Sequence, residues 1–451
     1  MKAVLQLGLA LLPALVQGVE LRLAAFDADI TSPVGSMLAY DPVVRVDEMT
    51  LRGRGIVLLG AGRPLVVCAL DWIGLYNESH DLFRAELARA AGTTPDRVAV
   101  QCVHQHDAPR MDTGAEKILR DLGQPAGAWD STYTRPLLAR VTDAVRLSLT
   151  NAQPVTHVGW GSAKVECVAS NRRIPGPDGK LLVRYTTEKN PAKRAAPEGV
   201  IDPNVDVVSF WNGDQPLAVL SYYACHPQSY YRMGIPSPDF PGIARFFRGQ
   251  CVPGALHVHF TGAAGNIGAG KYNDGSKENR LVLATRLADG MQRAFESSDK
   301  IPVDAKDIGW GLEKVRLPIG AHLNEEQLLA QIRTGKTAPG SRVPSDSSDA
   351  ERLAFLRRAQ AGHATALTCL RLGPIRVLHM PGELFVEYQL AAKALRPRVA
   401  LAAYGDEGPL YIGTKKAYAE VGGYETEPRS SNVALEVEDV LMNAMKRLLA
   451  E

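Results

Sequence analysis

The residues of this chain best suited to chemistry lie in "VAVQCVHQHDAPR" (98–110), where His104 and His106 follow an apolar run that reads as a strand. The chain has 10 histidines in 451 residues, so two at one strand tip carry information. A third, His226, closes "PLAVLSYYACH" (216–226), and Glu383 follows "IRVLHM" (375–380) in "PGE". Asp71 ends the run "PLVVCAL", while Asp406, Glu407 and Tyr411 follow the run at 399–404. Two imidazoles, a carboxylate and an open position make a recurrent catalytic zinc set. Zinc in such a set lowers the pKa of bound water to about 7 and makes hydroxide available for attack on a carbonyl. If the strand pleat continues, His104 and His106 point to one side and Gln105 to the other, so one imidazole can bind metal while its neighbour faces substrate. Asp71 is expected either to orient a ligating imidazole or to cap the next turn. The plainer reading of each histidine is a hydrogen-bonded polar residue at a sheet margin, and helical zinc motifs are absent. His257 and His259, on one face of "LHVHF", read as internal polar residues of a sheet.

The elements that must position these residues alternate in type. Strand-length apolar runs occur at 55–60, 64–70, 98–103, 216–225, 255–262 and 375–380, and amphipathic helical stretches at 80–91, 135–150, 278–297, 349–361, 383–396 and 434–450. Ser79 is the expected N-cap of the helix at 80, and Gly92 its stop. The alternation predicts an α/β fold: one large domain, a mixed and mostly parallel central sheet flanked by helices, and a site at the carboxyl ends of the strands. Residues 170–204 read as a long excursion, and 335–350 ("GKTAPGSRVPSDSSDA") as a surface loop. No internal repeat is evident.

"TGAAGNIGAGKYNDG" (261–275) matches most of a P-loop, but Tyr272 stands where a small hydroxyl must hold magnesium. The alternative is a glycine turn that lets backbone approach a ligand or another strand.

Composition narrows the partners. Lysine plus arginine number 51 against 49 acids, and no basic run with interleaved aromatics occurs, so nucleic acid is not expected as a partner. The N-terminus, "MKAVLQLGLALLPALVQGVE", has one lysine, an apolar run too short to span a bilayer, and small residues at Val16 and Gly18. It reads as a signal peptide over 1–18, with export to periplasm or medium, and leaves 19–451 as the folded domain. Cys68, Cys102, Cys167, Cys225, Cys251 and Cys369 show no C-x-x-C spacing. Buried thiols are expected for Cys68, Cys102 and Cys369, and export would allow one disulfide.

The residues also carry a family resemblance. "VHQHDAP" resembles the "THTHSGP" stretch of neutral (non-lysosomal) ceramidases. In order along the chain, "DADITSPVG" resembles that family's opening strand and turn, "ALDWIGL" its "ADIG" and "SNRR" its "NRS". "YYACHPQS" is similar to its "ATHGTS", "MPGELF" to its "PGEF" and "LYIGTKKAYAEVGGYE" to its "HYITTYEEYQAQRYE". The resemblance implies zinc held by His104, His226, Glu383 and Tyr411, with His106 facing substrate as proton carrier. Arg172 and Tyr424 would contact substrate or polarise its carbonyl, beside Tyr411. The implied reaction is hydrolysis of an N-acyl amide, a ceramide-like lipid giving fatty acid and amine base, with peripheral contact to membrane lipid as an open expectation.

Two departures stand beside it. Gly265 occupies the place of a family serine in "GDVSPN", so Gly265 and Asn266 are the expected substrate-side residues but offer no hydroxyl at 265. The chain stops at Glu451, so the resemblance is to the catalytic domain alone. Two alternatives follow: the same zinc scaffold acting on another ester, amide or lactone, or an exported binding protein without catalysis.

Overall fold

The computed structural model describes residues 20–334 and 345–450. The expected leader lies outside them, as does 335–344 of the loop-like stretch; residues 345–350, expected as loop, instead open the helix Ser345–Gln360.

Among the described residues, three large sheets replace the single central sheet. The first runs Val98–Cys102, Gly62–Leu70, Arg52–Gly60, Arg22–Asp29 and Gln153–Pro154. The second runs Leu256–Thr261, Gln215–Tyr223, Asn204–Asn212, His157–Lys164 and Asp299–Pro302. The third runs Ile308–Val315, Thr365–Leu372, Ile375–His379 and Val399–Ala402. The expectation of mostly parallel strands is corrected: each sheet has one parallel pair, at an edge, and its other neighbours are antiparallel. Runs such as "VVCAL" suggested a parallel sheet because continuous apolar strands are usual there. Here they are continuous because both faces of each sheet are covered.

The alternation of side chains shows how. Leu65, Val67 and Ala69 join a core built from strands and loops of all three sheets, with Phe210, Leu220, Phe260, Leu370 and Val377. Their neighbours Val66, Cys68 and Leu70 point the other way, into a second core that includes Phe83, Leu87, Leu137 and Val141 of the covering helices. Three sheets thus face a shared interior, with helices outside.

One unit recurs three times, although no sequence repeat announces it. In each sheet a helix joins the two strands of the parallel pair: Glu78–Ala91, Asp239–Cys251 and Val386–Leu395. The three edge strands meet at their carboxyl ends. Thr261 Oγ1 donates to Val103 O (2.6 Å), Ala403 N–H to Thr261 O (3.0 Å) and Cys102 N–H to Tyr404 O (2.8 Å). The functional side chains leave the sheets around this junction.

Smaller expectations also change. Asn77, with φ 52°, precedes the first helix, and Ser79 lies inside it with Oγ accepting Thr113 N–H (2.9 Å). Gly92 ends that helix in the left-handed conformation, as the sequence suggests. Cys68, Cys102 and Cys369 are buried, and no disulfide joins any two of the six cysteines.

Candidate active site

His104 sits two residues past the strand Val98–Cys102, and Tyr404 two residues past Val399–Ala402. Both take left-handed backbone, φ 73° and 61°. Such conformations cost about 1 kcal/mol or more and persist where surrounding structure enforces them. The pleat therefore does not continue through His104, and the turn at that residue delivers both histidines. Its ring stacks on Tyr404 (centroids 4.4 Å apart) and meets His106 edge-on at 5.3 Å. His226 arrives three residues past Gln215–Tyr223 and packs 4.7 Å from His104.

One ring nitrogen from each of His104, His106 and His226 lies within 4.8 Å of the other two, and all three side chains are buried. His104 Nδ1 is 2.6 Å from Ile73 O, which fixes the proton there and leaves Nε2 facing Glu383 Oε2 at 3.4 Å. His106 Nε2 is 2.9 Å from His226 Nε2. His226 Nδ1 lies 3.3 Å from Tyr404 Oη and 3.8 Å from Glu383 Oε2. Glu383 Oε2 is buried and accepts no hydrogen bond from the protein. Burial, then the charge of neighbouring cationic groups, holds the His106 and His226 imidazoles well below their usual range, so they stay neutral. Three clustered imidazoles, two of them facing an unsatisfied buried carboxylate oxygen, form a donor set that fits a metal ion. His106 belongs to this cluster as closely as the two expected ligands.

Arg172 organises the other side. It is 2% exposed. Its Nη1 donates to Tyr424 Oη (2.7 Å), Gly265 O (3.1 Å) and Tyr411 Oη (3.2 Å), and its Nη2 to Thr186 Oγ1 (3.1 Å). The two phenols lie 3.4 Å apart. Burial pushes the Tyr424 phenol up to about 12 against the opposing pull of Arg172. Burial, then Glu383, pushes Tyr411 well above its usual range. Tyr411 is brought beside Glu383 by a short parallel pairing, Glu383 with Tyr411 and Leu384 with Ile412.

Gly265 is explained by packing. A Cβ there would lie 2.2 Å from Glu383 O and 3.1 Å from the Phe385 ring. The turn is glycine-bearing so that backbone can approach the Glu383 strand, and the smallest hydroxyl side chain is excluded. Both ends of the Asn266 amide are engaged within the protein: Oδ1 accepts Val386 N–H (2.9 Å) and Nδ2 donates to Glu387 (2.9 Å). The P-loop likeness dissolves, because Lys271 Nζ donates to the carbonyls of Arg194, Ala195 and Ala196. Asp71 orients no imidazole; it forms a bidentate pair with Arg245 (2.8 and 2.6 Å) and accepts Arg52 N–H.

Several neighbours escaped sequence reasoning. Tyr404 contacts two of the histidines, Tyr40 Oη lies 3.1 Å from His106 Nδ1, and Gln228 Nε2 lies 3.2 Å from the same atom. Glu407, which the sequence did place at a strand end, is fully buried with both oxygens unpartnered, 3.7 Å from His104 Nδ1. The left-handed Tyr404 closes the same apolar run, which was the available signal.

No protein-family model matches the chain, and no curated protein matches it. Solved structures do. The neutral ceramidase from Pseudomonas aeruginosa superposes with a TM-score of 0.68 at 16% identity, covering 96% of this chain and 74% of that one. A structure described as ceramidase complexed with C2 gives 0.67 at 17% identity, covering 96% and 75%. Over nearly its whole length, this chain has the fold of the neutral ceramidases.

Proposed function

We propose that the protein is an exported zinc-dependent amidohydrolase of the ceramidase type, cleaving an N-acyl amide into a carboxylic acid and an amine. The observation that carries this reading is the cluster of His104, His106 and His226, two of which, His104 and His226, face the unbonded oxygen of Glu383. In the proposed arrangement His104, His226, Glu383 and Tyr411 hold the metal. Bound zinc supplies Lewis acidity and a reactive hydroxide near neutral pH.

The chain's own residues account for the rest. Arg172 donates to both phenol oxygens, which turns the Tyr411 and Tyr424 O–H groups away from it. A phenol O–H so oriented can donate to the carbonyl oxygen as negative charge builds there. Tyr40 Oη lies within hydrogen-bond reach of His106 Nδ1, and in the tautomer that donates Nδ1–H to it, Nε2 is bare inside the cluster. Nε2 can take a proton from the attacking water and pass it to the leaving nitrogen as the C–N bond breaks. Water thus contributes the hydroxyl of the acid and the proton that His106 carries to the amine, and the imidazole ends neutral as it began. Burial of all three imidazoles excludes bulk water from this transfer.

Elemental analysis of purified protein tests the reading. About one zinc per chain is expected, lost in His104→Ala and Glu383→Ala together with hydrolysis of N-acyl amides. A folded, metal-free wild type would overturn it. Export is tested separately, by N-terminal sequencing of protein recovered from periplasm or medium, with cleavage expected near Gly18.

A further inference from the structure

Beside His106 stands a guanidinium to which the proposed reaction gives no task. Arg232 lies in the segment after His226, with left-handed backbone (φ 67°). Asp107 Oδ1 holds it there by accepting Arg232 N–H (2.7 Å) and Met233 N–H (3.4 Å). Its guanidinium carbon lies 5.0 Å from the Tyr40 ring centroid and 5.3 Å from that of Tyr231. Those rings flank the imidazole: Tyr40 stacks on His106 at 5.7 Å, and Tyr231 meets it at 5.4 Å. The cation is therefore one aromatic ring away from the group that delivers the proton to the leaving nitrogen.

Apart from these aromatic faces, no described residue pairs with this cation through a carboxylate or hydrogen-bond acceptor. Arg232 is half-buried and its Nε is buried without an acceptor. Among the described residues no carboxylate reaches ion-pair distance of it. Asp41, the acid within its field, accepts Gly234 N–H through Oδ2 (2.9 Å), and its Oδ1 is buried without a hydrogen bond to Arg232 or any other group. By contrast, the buried Arg245 pairs with Asp71, and the half-buried Arg173 with Glu420 and Glu425. A partly desolvated guanidinium with empty donors is costly unless an anion completes it. Its planar fork matches a carboxylate, and the aromatic faces fix its orientation.

We propose that Arg232 anchors a carboxylate of the substrate, so that the site takes an anionic N-acyl compound of the N-acyl amino acid type. In such a molecule the carboxylate is two bonds from the scissile nitrogen, which matches a cation one ring away from His106. This rests on the amidohydrolase reading and names its substrate class. The reaction needs only water and yields a carboxylic acid and an amino acid.

Dodecanoylglycine and dodecanoylglycinamide differ only in that charge. With zinc-loaded full-length protein, kcat/KM should favour the glycine compound by about tenfold or more, and in Arg232→Gln the ratio should fall to about one, chiefly through KM. A ratio that persists in Arg232→Gln, or a wild type that favours the amide, overturns the proposal. Calorimetric binding of the same two compounds gives a readout independent of turnover. If neither is hydrolysed but the acid binds more tightly and Arg232→Gln abolishes the difference, the amidohydrolase reading fails and the anion anchor stands. If binding is blind to the charge, the anchor fails.

Discussion

His104, His106 and His226 differ from His257, His259 and His379 in place rather than in burial. The second group lies inside strands, each facing a polar partner or none: His259 Nδ1 is 2.9 Å from Ser221 Oγ, directly across a parallel pair, and His379 Nδ1 is 3.0 Å from Thr368 Oγ1 across an antiparallel one. Burial lowers His259 and His379 to about 3 and His257 to about 4. The first group is equally dry, and burial likewise keeps His106 and His226 neutral, but it lies past strand ends, where the chain turns and side chains from different sheets can meet. Burial makes an imidazole a neutral donor; leaving the sheet beside other leaving strands makes it part of a site.

The sharpest way to break this comparison is to exchange the fates of the two groups by mutation. Glu383→Ala or His226→Ala should lower kcat/KM by roughly 10³-fold or more and remove bound metal, with the far-UV spectrum preserved. His259→Ala or His379→Ala should keep the metal and most activity while losing on the order of 2 kcal/mol of stability, read by urea unfolding. Metal loss in the second pair would erase the distinction.

A smaller effect is expected at the oxyanion side. Tyr424→Phe or Arg172→Gln should cost about 10²-fold in kcat with metal content unchanged. Loss of metal in Tyr424→Phe would move that phenol among the ligands.

Acid acts on the in-strand group. The unfolded chain takes protons on His259 and His379 near the ordinary imidazole value of 6.5, while burial in the folded chain refuses them until about 3. Stability conferred by these residues is thus whole above pH 6.5, declines as pH falls below it, and continues to decline to about pH 3. Each should cost about 2 kcal/mol by pH 5, measured as the drop in urea midpoint from pH 7. His379→Gln should remove its share of that slope, and an unchanged slope would show that this imidazole is not the source.

The smallest effect concerns the proton carrier. Tyr40→Phe removes a partner of His106 Nδ1 and should lower kcat about tenfold, with the acid limb of the pH–rate profile displaced and KM little changed. An unaltered profile would leave Tyr40 as packing alone.

Much of this was legible because strand ends are marked by where apolar runs stop. The runs ending near His104, His226 and Glu383 did identify residues that meet in space. What stayed hidden depended on partners far along the chain. Leu65 and Val66 are both apolar because one faces the shared interior and the other a helix, and a sequence cannot distinguish that from a parallel sheet. The helix Asp239–Cys251, not among the expected helices, carries Pro241 and Gly242 in its first turn and a strained Asp239 (φ 48°), which interrupt the helical pattern. Gly265 looked like a lost hydroxyl, whereas the close approach of Glu383 O leaves no room for a side chain there. Tyr40 and Arg232 stand 66 and 126 residues from His106 in the chain (106 − 40 and 232 − 106), and no local spacing could relate them.

The most direct test of the account is a zinc titration of chelator-stripped, folded protein, following release of fatty acid from an N-acyl amide. The account predicts that activity returns linearly and saturates at one zinc per chain, while Glu383→Ala stays silent throughout. Full activity before any zinc is added, or a return of activity in Glu383→Ala equal to that of wild type, would contradict it.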